Sequence, residues 1–219
     1  MFALRKNITF RAAAPKTGDR WFGSGRQSLF GYNYRICSWP THPLRVSPVD
    51  LMEKLPEPWL RGTLTEVAPV QRAVLHALEL AEEDILRWCG DLTDEQVNAR
   101  PGGLAPVAFH IRHIARSSDR LLTYAEGGIL TSEQITVMKA ELEPGATREE
   151  LFAELDAALE RSAARVKAFS VDGLSMARTV GRQQMPTTVA GLLVHVADHA
   201  QRHVGQAIVT AKIAKTLTS

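Results

Sequence analysis

The chain has 219 residues, of which 45% are hydrophobic and 23% are charged, as in ordinary globular proteins. No apolar run approaches the roughly 20 residues of a membrane-spanning helix, so no membrane association is expected. Residues 1–50 carry eight basic and two acidic residues, a net charge of +6, which leaves −4 for the rest of a chain whose total is +2. Because residues 51–219 offer no basic face, nucleic acid is not an expected partner.

The N-terminal part of the chain differs from the rest. Residues 1–55 show neither helical nor strand periodicity and contain four prolines. They lack the apolar core of a secretory signal. We expect residues 1–55 to form an irregular or disordered extension and residues 56–215 to form one domain. The alternative is that translation begins near Met52.

The chain has two cysteines, Cys37 and Cys89, and they form no disulfide framework and no CxxC pair. This cysteine usage fits a reducing compartment. We therefore expect a cytoplasmic location.

Four long segments have the apolar spacing of amphipathic helices, and they cover approximately residues 67–90, 106–127, 147–169 and 187–212. A capping box of Thr147 and Glu150 marks the start of the third segment. Shorter helices are predicted over residues 93–101 and, more weakly, over 132–142, and residues 170–186 are interpreted as a loop. The predicted fold class is all-α, a four-helix bundle with an irregular N-terminal extension.

Five of the seven histidines fall in two of these helical segments. His195, His199 and His203 follow one another at four-residue steps, which places them on one side of a helix. His110 and His113 lie in the segment 106–127. Neutral imidazoles from facing helices are a common way to hold a divalent transition metal. The alternative for each histidine is a hydrogen-bonded core residue.

Helical angles rank these histidines. On the last helix His199 and His203 lie within the apolar seam, whereas His195 lies at its edge. On the earlier helix the angles favour His110 over His113 as the inward residue. The choice between His110 and His113 as the metal ligand stays open at this point.

The segments PVAFHIRHIARSSDRLL and TTVAGLLVHVADHAQRHVGQ resemble the DinB/YfiT-like superfamily of metal-dependent proteins. The resemblance covers about residues 58–213 and implies a DinB-like four-helix bundle. In that family one histidine opens an HIA-type motif and two more form HxxxH before GQ. The resemblance therefore assigns the metal to His113, His199 and His203, with His110 and His195 kept as alternative ligands.

Three neutral histidines would leave a divalent ion with an open coordination position. The expected ion is Zn²⁺ or Ni²⁺. The resemblance implies that the ion activates a low-molecular-weight thiol cosubstrate for S-transfer or isomerisation of a small-molecule substrate. The alternatives are a hydrolase that uses metal-bound water and a non-catalytic metal-binding bundle that serves as a binding or association module. A homodimer is the expected assembly.

Six other polar side chains need an interpretation. Gln206 lies on the seam side of the last helix, and we expect it to orient a ligand or to hold a ligand histidine. Arg178 and Arg182 could meet an anionic substrate, although solvated surface charges are the simpler interpretation. Arg120 is expected on an exposed helix face, together with Arg116 and Asp119.

Overall fold

The computed structural model describes residues 56–217. The expected N-terminal extension over residues 1–55 and the alternative start at Met52 lie outside the described residues. The described part contains six α-helices, which are α1 (Pro69–Cys89), α2 (Asp94–Asn98), α3 (Val107–Ala125), α4 (Ser132–Lys139), α5 (Arg148–Ala168) and α6 (Val189–Leu217). Single 3₁₀ turns cover Pro58–Leu60, Pro101–Gly103 and Asp172–Ser175.

Four of these helices form the predicted bundle. α6 packs against α1 and α3, and α5 packs against the same two helices. Each long helix contributes apolar side chains to one core, and its largest fully buried members include Ile85, Ile111, Ile114, Leu155 and Leu193. Burial of such side chains is the main stabilising contribution. The fold is therefore mostly helical, as the apolar periodicity predicts.

Local sequence fixes where the helices begin. Thr147 accepts a hydrogen bond from the backbone N–H of Glu150, whose side chain accepts one from the backbone N–H of Thr147. The same reciprocal capping box occurs at the starts of α2 and α4. At the start of α6, the Thr188 hydroxyl accepts from the backbone N–H of Gly191. These caps satisfy N–H groups that have no partner within the helix.

The interpretation of residues 170–186 as a loop is wrong in part. Two short strands, β1 (Ala177–Val180) and β2 (Met185–Thr188), pair antiparallel just before α6. Thr179, Val180, Thr187 and Thr188 are β-branched residues that favour extended backbone. The four-residue turn between the strands begins with Gly181, whose φ of +71° lies in the left-handed region. The strands are too short for periodicity to be visible in the sequence.

Within residues 56–217, no helix combines the length and the hydropathy that crossing a bilayer requires.

Candidate metal centre

Three histidines from two helices meet at the interface of α3 and α6. His113 lies on α3, and His199 and His203 lie one turn apart on α6. Each offers one ring nitrogen, and the three nitrogens lie within 4.8 Å of one another. The Nε2 atoms of His113 and His199 are 2.8 Å apart. All three side chains are half-buried, so a small molecule can reach them from solvent.

A buried carboxylate orients His113. Glu141 lies just after α4, and its Oε2 is 2.6 Å from Nδ1 of His113. An Nδ1–H that donates to this carboxylate leaves Nε2 as the lone pair that faces His199 and His203. Arg120 donates to the other oxygen of Glu141 at 2.6 Å. Glu141 therefore fixes both the tautomer and the direction of the His113 ring.

The ion pair of Glu141 and Arg120 is buried, since the two residues are 5% and 8% exposed. Burial favours the neutral carboxyl, but the hydrogen bonds from His113 and Arg120 outweigh it and lower the pKa of Glu141. The expectation that Arg120 lies on an exposed face is wrong, because the α4–α5 connection covers it. No spacing in the sequence pointed to Glu141, which lies 28 residues from His113.

His110 holds a different member of the cluster. It is 5% exposed, as its helical angle predicts, and its Nδ1 is 3.0 Å from Nδ1 of His203. A hydrogen on Nδ1 of His203 would be donated to His110 and would leave Nε2 of His203 free for an ion. Of the two histidines on α3, His113 therefore belongs to the converging group. His110 instead contacts the Nδ1 atom of His203, on the side of that ring opposite its free Nε2.

His195 and Gln206 lie outside the group of converging nitrogens. The side chain of His195 is 45% exposed, and its Nδ1 lies 3.7 Å from Asp198 rather than among the three converging nitrogens. Gln206 is exposed to solvent, so the expectation that it lies in the apolar seam is wrong. Among the described helices, α6 packs mainly against α1 and α3, and Gln206 lies on neither packed side.

Burial keeps these imidazoles neutral. Desolvation, reinforced by neighbouring histidines, lowers the pKa of His110, His199 and His203 from 6.5 to about 4. The ring of Phe109 stacks on His113 at 5.2 Å between centroids and shields one side of the cluster. A neutral imidazole is the form that binds a metal ion. The donor set consists of three histidines, two of which are held through their Nδ1 atoms, and it fits a divalent ion of the zinc type.

These pKa values predict a pH dependence for the metal-free protein. The unfolded chain protonates its histidines near pH 6.5, whereas His110, His199 and His203 of the folded protein take up protons only near pH 4. These three histidines should therefore make the free energy of unfolding decrease as the pH falls from about 6.5 to 4. Urea denaturation with a chelator at several pH values measures this decrease. The decrease should be shallower in His110→Leu, and a level profile in the wild type would contradict the prediction.

Arg178 has a structural partner. Its Nε donates a hydrogen bond of 2.7 Å to the carbonyl of Ala125, which is the last residue of α3. This contact satisfies a helix C-terminal carbonyl and joins β1 to the bundle. Arg182 is exposed in the turn between the strands, as expected for a surface charge.

The fold and the site together define a helical-bundle protein with a three-histidine cluster that fits metal binding. The family model of the DinB superfamily matches residues 77–207, more than half of the chain and all three histidines. The chain therefore belongs to the DinB superfamily.

Comparison with solved structures gives a related fold. The chain is similar to a conserved protein from Enterococcus faecalis, with a TM-score of 0.58 and 20% identity over 68% of this chain and 99% of that chain. At this identity the likeness concerns the fold alone. A search of curated proteins found no match.

Proposed function

We propose that the protein is a metal-dependent enzyme in which His113, His199 and His203 hold one divalent ion, Zn²⁺ or Ni²⁺, for thiol S-transfer or isomerisation. The observation that carries this proposal is the convergence of three ring nitrogens within 4.8 Å at a half-buried, solvent-accessible place. A closed structural zinc site has four protein ligands, whereas three ligands leave a position for a reactant. An ion held there would lower the pKa of a bound thiol to near neutrality.

In this proposal the thiol comes from a cosubstrate. Cys89 is completely buried in the core, and burial raises the pKa of its thiol to about 12. It is therefore unsuited to act as a nucleophile. Cys37 lies outside the described residues. A low-molecular-weight thiol of the reducing cytoplasm would supply the sulfur, and the protein would supply the ion and its orientation.

The proposed transfer has a simple atom balance. The cosubstrate thiol loses its proton to solvent, and its sulfur forms a bond to an electrophilic carbon of the substrate. The leaving group departs from that carbon with the bonding electron pair. Glu141 and His110 do not touch the reactants in this scheme, since each holds a ligand histidine through its Nδ1.

The test is turnover of 1-chloro-2,4-dinitrobenzene by zinc- or nickel-loaded protein with a panel of low-molecular-weight thiols. We expect turnover to require both metal and thiol, because Cys89, the cysteine within the described residues, is buried in the core. The variant Cys37→Ala/Cys89→Ala should retain turnover, whereas His199→Ala should lose it.

Three results would contradict this function. Turnover of ester or amide substrates without any thiol would favour the hydrolase that uses water. A metal-loaded protein that is inert with every thiol and substrate would favour a non-catalytic binding module. Loss of thiol-dependent turnover in a folded double-cysteine variant would assign the nucleophile to the chain itself.

The expected homodimer is a separate proposal, which analytical ultracentrifugation of the full chain tests.

A further inference from the structure

A cleft lies between the two-stranded sheet, the first turns of α6 and α3. We call it the hairpin cleft, and its volume is about 390 Å³. Its apolar walls come from β1, β2, α3 and α6, and they consist of Leu121, Val180, Met185, Pro186 and Leu192. Small-molecule sites typically measure roughly 300–1,000 Å³ and have mostly apolar walls. The hairpin cleft falls within this range.

The cleft adjoins the metal centre through one side chain. His195 lines the cleft, and its ring centroid is 5.3 Å from that of His199. His199 in turn contributes to the three converging nitrogens. A molecule seated in the hairpin cleft would therefore have one end beside His195, about one side chain away from the position that the three histidines leave open.

The walls determine which reactant fits. Among the described residues that line the cleft, His195 alone has an ionisable side chain, and Thr187 adds one hydroxyl. A charged peptide or sugar thiol has many polar groups, and most of them would lose their hydration there without a compensating hydrogen bond, which is unfavourable. An apolar ring gains free energy from the same burial, and an engineered apolar cavity of about 150 Å³ already accommodates benzene. The larger hairpin cleft has room for a substituted ring.

We propose that the hairpin cleft binds the apolar, ring-containing part of the electrophilic substrate and directs its reactive carbon past His195 towards the metal centre. The catalytic part of this inference rests on the proposed function, whereas the binding part does not. Specificity would then come from the sheet that precedes α6, and Arg178 anchors that sheet to the end of α3.

Two exposed methionines allow a matched test. Met185 lines the cleft and is 58% exposed, whereas Met176 precedes β1, is 53% exposed and does not line the cleft. Met185→Glu would place a carboxylate on the apolar wall, and Met176→Glu makes the same chemical change outside it. Because both side chains are exposed, neither substitution should unfold the protein, which circular dichroism and thermal melting can verify.

The direct readout is binding of 1,3-dinitrobenzene, which has the ring but no leaving group, measured by equilibrium dialysis. We expect Met185→Glu to weaken binding about tenfold or more and Met176→Glu to leave it within about twofold, because only the first adds charge to the cleft. In turnover, Met185→Glu should raise KM for 1-chloro-2,4-dinitrobenzene by a similar factor and leave KM for the thiol unchanged.

The two proposals fail separately. Equal binding of 1,3-dinitrobenzene by the wild type and both variants, or no binding by the wild type, would overturn the hairpin cleft whatever the turnover results are. An equal loss of binding in both variants would also overturn it. Selective loss in Met185→Glu would support the cleft even in a protein that turns over no electrophile, and in that case only the thiol-transfer function would fail.

Discussion

Replacing His199 by alanine is expected to abolish stoichiometric binding of Zn²⁺ or Ni²⁺. The substitution removes one of three converging nitrogens and leaves two ligands, too few for a tight site. Elemental analysis of purified protein after dialysis measures the metal content. His195→Ala is the matched control, since His195 lies one turn earlier on the same helix and is 45% exposed. Full metal content in His199→Ala would reject the assignment.

The same measurement resolves the choice between His110 and His113. His113→Ala should lose the metal as His199→Ala does, because its Nε2 faces the site. His110→Ala should retain metal at saturating concentration but bind it about 10–100-fold more weakly, the usual cost of removing a group that orients a ligand. The reverse order of effects would make His110 the ligand.

The second large effect is expected for Glu141→Gln. Loss of the carboxylate charge weakens the hold on His113, so the affinity for Zn²⁺ should fall about 10–100-fold. The metal-free protein should also be destabilised by about 3–5 kcal/mol, because Arg120 becomes a buried charge without a counter-ion. Isothermal titration calorimetry and urea denaturation measure the two quantities. Glu143→Gln, an exposed neighbour, should change neither.

A double variant separates the two roles of Glu141. Arg120→Met/Glu141→Gln removes the unpaired buried charge, so we expect stability to recover in large part. The affinity for Zn²⁺ should remain low, because His113 still lacks its carboxylate. Recovery of both properties together would show that Glu141 acts on the metal centre through stability alone.

The helices could be predicted from the sequence because their signals are local. The capping box of Thr147 and Glu150 and the apolar spacing of each segment operate within a few residues. The four-residue strands of the sheet gave too few positions for an alternating pattern. Trp88 near the end of α1 is 36% exposed and lies under the Lys212 ammonium, a contact between two helices that no local pattern encodes.

In the metal centre, too, the residues given by a local pattern could be predicted, whereas those that depend on tertiary packing could not. The four-residue step from His199 to His203 is a property of one helix, and the resemblance to the DinB superfamily added His113. Glu141 could not be found in this way, since its contact with His113 depends on how the α4–α5 connection folds over α3. Gln206 was misplaced because helical angles show which residues share a side but not how far the neighbouring helices cover it.

The long separation between His113 and His199, 86 residues along the chain, has a consequence for folding. His199 and His203 come together as soon as α6 forms, but His113 joins them only after α3 has docked. An ion held by all three would act as a cross-link across a loop of that length, for which chain-entropy estimates give about 4–5 kcal/mol. The bundle would then unfold at temperatures that rise with the concentration of free metal, so that metal supply would set the folded fraction of the protein at a given temperature.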